Sequence, residues 1–337
     1  FLSVNRNKRS MTLNFKDPKA VEIFKKLAAT ADVIVENFTP DVMTRFGIGY
    51  EDIQTINPRI VYCSISGFGK TGPYRDRPAY DQIMQGVGGL MSITGTPDGE
   101  PEKIGIAVTD IGAGMWGAFA ILTALQHRNK SDKGQHIDLA MLDAQVSWLT
   151  YQAGYYFATN EAPKRLGKAH PTLVPYQAFM GDDGKYFNVA VGSERLWERF
   201  CAGIEKPELQ NNQDYSTNGD RVRNRSKIVP LLQEHFLSRS SLEWVKILQG
   251  VNVPAGPIND LIDVFTDPQV LHRDMLLTIP HPTLGEVKQT GLPIKFSETP
   301  GGIDRHPPLL GEHNNEILTD IGYSDDDIKS FSETDVI

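Results

Sequence analysis

The sequence predicts an α/β protein: a parallel sheet with helices on its faces, followed by a smaller α+β region. Three observations carry this. Residues 10–66 alternate strand-like runs with helical stretches, the order that builds a parallel sheet with helical crossovers. Gly- and Pro-rich loops follow the expected strands, and a long apolar helical stretch comes next. After Arg165 the pattern changes to a strand pair about Asp182-Asp-Gly184 and a series of amphipathic helices.

Each element has its own signal. Ser10 to Phe15 alternates polar and apolar like a short strand. Asp17-Pro18 supplies a helix N-cap and then Pro at the first helical position, and Val21, Phe24, Leu27 and Ala28 form one apolar stripe. Asp32 to Glu36 is a compact strand, 40–46 and 51–56 are short helical turns, and Arg59 to Ser66 is a third strand. The loop Gly67-Phe-Gly-Lys-Thr-Gly-Pro73 precedes a helical segment around Tyr80 to Leu90. Ile111 to Arg128 reads as a long helix, stopped by Lys130-Ser-Asp-Lys-Gly134. Gln135 to Met141 alternates as a strand, and 143–159 is helical. Further on, 225–237 and 241–249 are amphipathic helices, Pro254-Ala-Gly-Pro257 is a tight connection, and a polar helical tail closes the chain. These shifts divide it into a large domain of residues 1–165 and 281–337, a junction at 166–174, and a small domain at 175–280.

Composition bounds the function. The 337 residues carry a net charge of −8, which supplies no broad basic field for nucleic acid or an anionic membrane. Cys63 and Cys201 each sit in an apolar run, as buried free thiols of a reducing compartment do. A cytoplasmic location is therefore expected. No apolar stretch is expected to reach membrane-spanning length. The start, Phe1-Leu-Ser-Val-Asn5, has neither Met nor a signal-peptide pattern and reads as mid-protein sequence.

Ligands of open parallel sheets bind beyond the carboxyl ends of the strands. There the sequence places Lys16, then Asn37 and Phe38, then Gly67 and Phe68, with Arg45 one short helix away. Cations suit phosphate and a ring suits a base; the plainer reading makes Lys16 and Arg45 solvated and Phe38 core. No GxGxxG and no Walker lysine loop follows these strands. Asp110, in Val108-Thr-Asp-Ile-Gly-Ala-Gly114, opens the long helix among small residues that leave room for a ligand. The helix N-terminus favours an anion there, and first-turn N–H groups would serve a developing oxyanion. The plainer reading is an N-cap. His170 lies at the domain junction, where small-molecule sites form, although a lone loop His is more often structural. The eight histidines show no metal-ligand spacing, and no GxSxG elbow is present.

Asn5-Arg-Asn-Lys-Arg-Ser10, Ala31-Asp-Val-Ile-Val-Glu-Asn-Phe38, Ser64-Ile-Ser-Gly-Phe-Gly-Lys-Thr-Gly-Pro73 and Pro307-Pro-Leu-Leu-Gly-Glu-His313 stand in the order seen in family III CoA-transferases. The chain resembles that family from Phe1 to its C-terminus. The stretch Arg165-Leu-Gly-Lys-Ala-His-Pro171 is most similar to its succinyl-CoA:glutarate members. The resemblance implies a Rossmann-like large domain and an interlocked homodimer. It implies CoA transfer from an acyl-CoA such as succinyl-CoA to a carboxylic acid such as glutarate, with acyl-CoA as substrate and no permanent cofactor. For a eukaryotic source it implies the mitochondrial matrix. It puts the catalytic aspartate on Asp110, coenzyme A contacts on Leu13, Lys16, Asn37, Phe38 and Arg45, and an active-site pair on Tyr80 and Asp81. His170 is assigned to orienting the acceptor carboxylate. Acyl-CoA racemases of the same fold use a His where this chain has Tyr80, a poor base near neutral pH, so transfer is favoured over racemisation; the other alternative is a CoA-binding protein without turnover. The glycine loop of formyl-CoA transferase has no counterpart. Family members begin with a further strand and helix, which this sequence lacks.

Overall fold

A computed structural model describes all 337 residues, which divide into two compact units. The first unit comprises Phe1–Ser92, Glu102–Pro163 and His272–Ile337; the second comprises Ile93–Pro101 and Lys164–Leu271. The boundary expected after residue 280 falls at Leu271, because residues 272–280 lead into a hairpin of the first unit.

The first unit opens with α1 (Pro18–Thr30), whose Asp17 side chain accepts the Lys19 N–H, as the sequence predicts. Then come β1 (Val33–Glu36), α2 (Val42–Arg45), α3 (Tyr50–Ile56) and β2 (Val61–Ser66). After α4 (Asp81–Val87) and the single turn α5 (Leu90–Ile93) runs the long α6 (Val108–Ser131). β3 (Gln135–Ala140), α7 (Met141–Val146) and α8 (Thr150–Thr159) follow, with the helix expected over 143–159 broken at Thr150, where φ is +36°. The sheet is parallel throughout, in the order β1-β2-β3. Residues 10–15 are not a strand of it. Their backbone is held instead by the far end of the chain: the Thr12 N–H donates to Asn314 Oδ1, and the Asn14 N–H to the Val336 carbonyl.

α1 is buried on two faces rather than one. Ala20 and Ile23 pack into a cluster with Leu318, Ile328 and Phe331, while Ala28, Val21 and Phe24 join Met43, Ile48 and Ile53. α6 lies on β2 and β3 and against α4 and α7. Gly117 faces the sheet, and a Cβ there would only reach ordinary contact with the Ile65 side chain at 3.4 Å. By length and composition α6 could also cross a membrane, with a mean hydropathy of 1.4, contrary to the expectation that no stretch reaches that length. One face of it meets the sheet; Ile111, Met115, Phe119 and Leu122 on the other are exposed.

The second unit has an antiparallel sheet in the order β4 (Tyr176–Met180), β5 (Tyr186–Ala190), β6 (Ala255–Pro257). The expected tight connection at 254–257 is thus a strand: Pro254 precedes it and Pro257 ends it, but it sits at the sheet edge, where a missing N–H is tolerated. Around the sheet stand α9 (Glu194–Gly203), α10 (Asn218–Arg223), α11 (Arg225–Phe236), α12 (Ser241–Gly250), α13 (Leu261–Thr266) and α14 (Pro268–His272). Its core holds Trp197, Phe200, Phe236 and Trp244, with Cys201 buried and free. Back in the first unit, β7 (Leu276–His281) and β8 (Gly285–Thr290) form a hairpin, and α15 (Asn314–Asp320) and α16 (Asp325–Glu333) close the chain. This tail is amphipathic, not polar, because Ile328 and Phe331 enter the α1 cluster.

Candidate active site

The three parallel strands end together at Glu36, Ser66 and Ala140. A cleft of about 340 Å³ opens there, lined by Asn37, Phe38, Ser66, Gly67, Tyr80, Asp110 and Met141 among others. This is the carboxyl edge where such sheets bind ligands. Asn37 joins two strand ends by donating from Nδ2 to the Ile65 carbonyl at 2.7 Å, and the Phe38 N–H donates to Glu36 Oε2 at 2.9 Å. That turn leaves the Phe38 ring half exposed, so it is not core. Gly67 is needed because the Ala79 loop comes so near: an added Cβ would lie 2.0 Å from the Ala79 Cβ.

Asp110 stands in the first turn of α6, which begins at Val108, three residues before the expected start. It does not cap the helix. The cap position is Ala107, and the capping carboxylate comes from another element: Asp81 Oδ1 accepts the Thr109 N–H at 2.8 Å and the Thr109 hydroxyl at 2.6 Å. Burial alone would raise the Asp81 carboxyl, but hydrogen bonds from Thr109, Gln85 and the Asp110 N–H outweigh it and hold it below its ordinary value. Asp110 behaves oppositely. Desolvation, and after it the Asp81 charge, push its carboxyl above the usual range, although it stands open to the cleft. Its carboxylate makes no hydrogen bond or ion pair within the chain.

One expectation is overturned. The first-turn N–H groups of α6 are not open to an oxyanion, since Val108 donates to the Ile106 carbonyl, Thr109 to Asp81 and Ile111 to the Ala107 carbonyl. The positive helix end is spent on Asp81.

Tyr80 projects into the cleft and is 78% exposed, whereas Asp81, next to it, turns away and does not line it. Lys16 and Arg45 are exposed; Leu13 is partly buried against the cluster of α1 and the C-terminal helices. His170 belongs to the second unit, where its ring stacks on Tyr176 at 4.8 Å and its Nδ1 accepts the Thr172 N–H at 3.2 Å. Desolvation and the Arg225 charge hold the ring below its ordinary pKa. Two lining residues escaped sequence reasoning. Arg75 pairs with Asp41, and Arg77 lies over the Tyr74 ring at 3.5 Å. The signal was available: two arginines in the loop immediately before Tyr80.

Comparison with known proteins places these features. Residues 1–314 match the model of CoA-transferase family III. The human succinyl-CoA:glutarate CoA-transferase is 42% identical over 97% of this chain and 74% of its own length. The succinyl-CoA:mesaconate CoA-transferase of Haloarcula marismortui is 38% identical over 96% of this chain and 82% of its own. Among solved structures, a CAIB/BAIF family protein from Brucella suis superposes with a TM-score of 0.84 at 40% identity, covering 95% of this chain and 83% of that one.

Proposed function

The chain belongs to CoA-transferase family III, and on that premise we propose that it moves coenzyme A from succinyl-CoA to a dicarboxylate such as glutarate, with Asp110 as nucleophile. The substrate pair is that of the relatives, whose names share succinyl-CoA as donor and a dicarboxylate as acceptor. The observation that carries the role of Asp110 is its unpartnered carboxylate at the cleft where the parallel strands end.

The ionised carboxylate attacks the thioester carbonyl of succinyl-CoA, forming a mixed anhydride and releasing CoA thiolate. The thiolate attacks the aspartyl carbonyl, which gives an enzyme thioester and frees succinate. A glutarate carboxylate then attacks that thioester, regenerating the thiolate and a glutaryl anhydride. Thiolate attack on the glutaryl carbonyl releases glutaryl-CoA and restores Asp110. Every step exchanges one activated acyl group for another, so neither water nor ATP enters, and water must be kept out. A raised pKa makes Asp110 the more basic, and better, nucleophile once ionised.

Lys16 and Arg45 are assigned to coenzyme A phosphates, and Leu13, Asn37 and Phe38 to the remainder of the cofactor. Tyr80, which lines the cleft, is assigned to the acyl group. The active species is a homodimer, supported by the uncovered apolar faces of α6 and of α8, where Tyr151 and Phe157 are exposed. Asp110→Asn and Asp110→Ala are expected to abolish transfer between succinyl-CoA and glutarate while coenzyme A still binds. Wild-type turnover by Asp110→Asn sinks the assignment, and a monomer in light scattering sinks the dimer.

A further inference from the structure

We propose that Gln85 is a positioning residue for Asp110, acting through Asp81 and the first turn of α6. The inference rests on Asp110 being the nucleophile. Gln85 lies one turn into α4 and is wholly buried. Its Nε2 donates to Asp81 Oδ2 at 2.7 Å and to the Ile106 carbonyl at 3.4 Å, and its Oε1 accepts the Ile104 N–H at 2.8 Å. Residues 104–106 are the strap that leads into α6. Asp81 in turn grips Thr109, the residue before the nucleophile, by both its N–H and its hydroxyl.

One buried amide therefore fixes the approach to α6 twice, directly at the strap and indirectly through the carboxylate that caps the helix. Neither Gln85 nor Asp81 lines the cleft, so neither is placed to hold substrate. The pair explains why two carboxylates in neighbouring turns differ in behaviour: one is saturated with donors, and the other is left to react.

Glutamine is needed because the site calls for a donor toward Asp81 and an acceptor toward Ile104, which one amide provides and a carboxylate does not. Gln85→Glu, assayed at alkaline pH so that the buried carboxyl pair does not share a proton, replaces the donor by a second anion beside Asp81. Adding Asp81→Asn to it reverses the polarity of the bond: the new amide donates to the new carboxylate, whose other oxygen still accepts the Ile104 N–H. The new amide oxygen still accepts from Thr109.

The test measures kcat and KM for succinyl-CoA at alkaline pH, with glutarate as acceptor, in purified full-length Gln85→Glu, in the Asp81→Asn/Gln85→Glu double variant and in Asp110→Ala. Gln85→Glu is expected to lower kcat by about 10²-fold, the scale for a reacting group displaced by about an ångström, with KM close to wild type. The double variant is expected to recover most of that loss. Wild-type kcat in Gln85→Glu, a loss expressed in KM alone, or a folded double variant no better than Gln85→Glu overturns the proposal. Asp110→Ala separates the two readings. If it still transfers, the nucleophile assignment itself fails; if it is dead while Gln85→Glu is normal, only the role of Gln85 fails.

Discussion

Gly112 and Trp148 interlock: a Cβ on residue 112 would lie 1.8 Å from the Trp148 ring. Gly112 is one of the buried residues of α6, two positions beyond Asp110. The indole therefore sets how α6 lies at the end that carries Asp110. Gly112→Ala is expected to destabilise the protein by about 1–3 kcal/mol, the usual cost of overpacking. Thermal denaturation reads this as a lowered Tm, and kcat falls with it because Asp110 shifts with the turn. An unchanged Tm and kcat would show that the ring moves aside freely.

Gly67 and Ala79 make a second such contact, at the cleft. Gly67→Ala is expected to raise KM for acyl-CoA and lower kcat by pushing the Tyr80 loop outward. Gly67→Ala with Ala79→Gly exchanges the two methyl positions and restores both constants. Failure of the double variant to improve on the single one would trace the defect to the backbone of residue 67 rather than to the clash.

Activity and stability should part company in acid. As the proposed nucleophile Asp110 must be ionised, and its carboxyl is raised, so kcat/KM is expected to be full above that value and to fall as pH drops through it. The acid limb thus lies above the ordinary aspartate value of about 3.9. Asp81 has the opposite sign. Its folded pKa is depressed, so its contribution to stability is complete above the ordinary value and is lost only as pH falls through the lower, folded one. Between the two limits part of the Asp81 contribution to stability remains while turnover has already fallen. Asp81→Asn removes the neighbouring anion and so moves the acid limb down, along with a fall in kcat from the broken Gln85–Asp81 bond. Rate profiles against pH, with melting curves at the same pH values, check both signs.

The cations that line the cleft, and those assigned to coenzyme A, should act on binding more than on chemistry. Lys16→Ala and Arg45→Ala are expected to raise KM for acyl-CoA more than they lower kcat. Arg77→Ala is expected to do the same, since its guanidinium rests on Tyr74 and pairs with no carboxylate. Arg75→Ala carries the added loss of the Asp41 pair. Raised salt should weaken binding in the wild type more than in these variants. Equal falls in kcat and kcat/KM would give these residues a part in the transition state.

What the sequence revealed and concealed follows from the range of the interactions. β1 and β2 were legible as compact strand-like runs and β3 by its alternation, and the ends of β1 and β2 located Asn37, Phe38 and Gly67 at the cleft. Asp110 was legible as an acid among small residues. The separation of Asp81 from Tyr80 was not, because Asp81 turns toward Thr109, 28 residues away. The same holds for residues 10–15. They alternate as a strand does, but partners some 300 residues distant take their hydrogen bonds. Pro254 and Pro257 read as a turn because the signal of proline is local, while the edge strand they bound is created by β5.

The grip of the chain's two ends on each other governs when the first unit can form during synthesis. Arg9 pairs with Glu316 and Asp320, Ser10 bonds to His313, and Asn14 to Val336. On the ribosome, residues 10–14 must wait until positions 313–336 have emerged, while the second unit, complete by Leu271, is free to fold earlier. A nascent chain stalled near residue 300 would thus present Ala20 and Ile23 of α1 without Leu318, Ile328 and Phe331 against them, the state in which a chaperone is most needed.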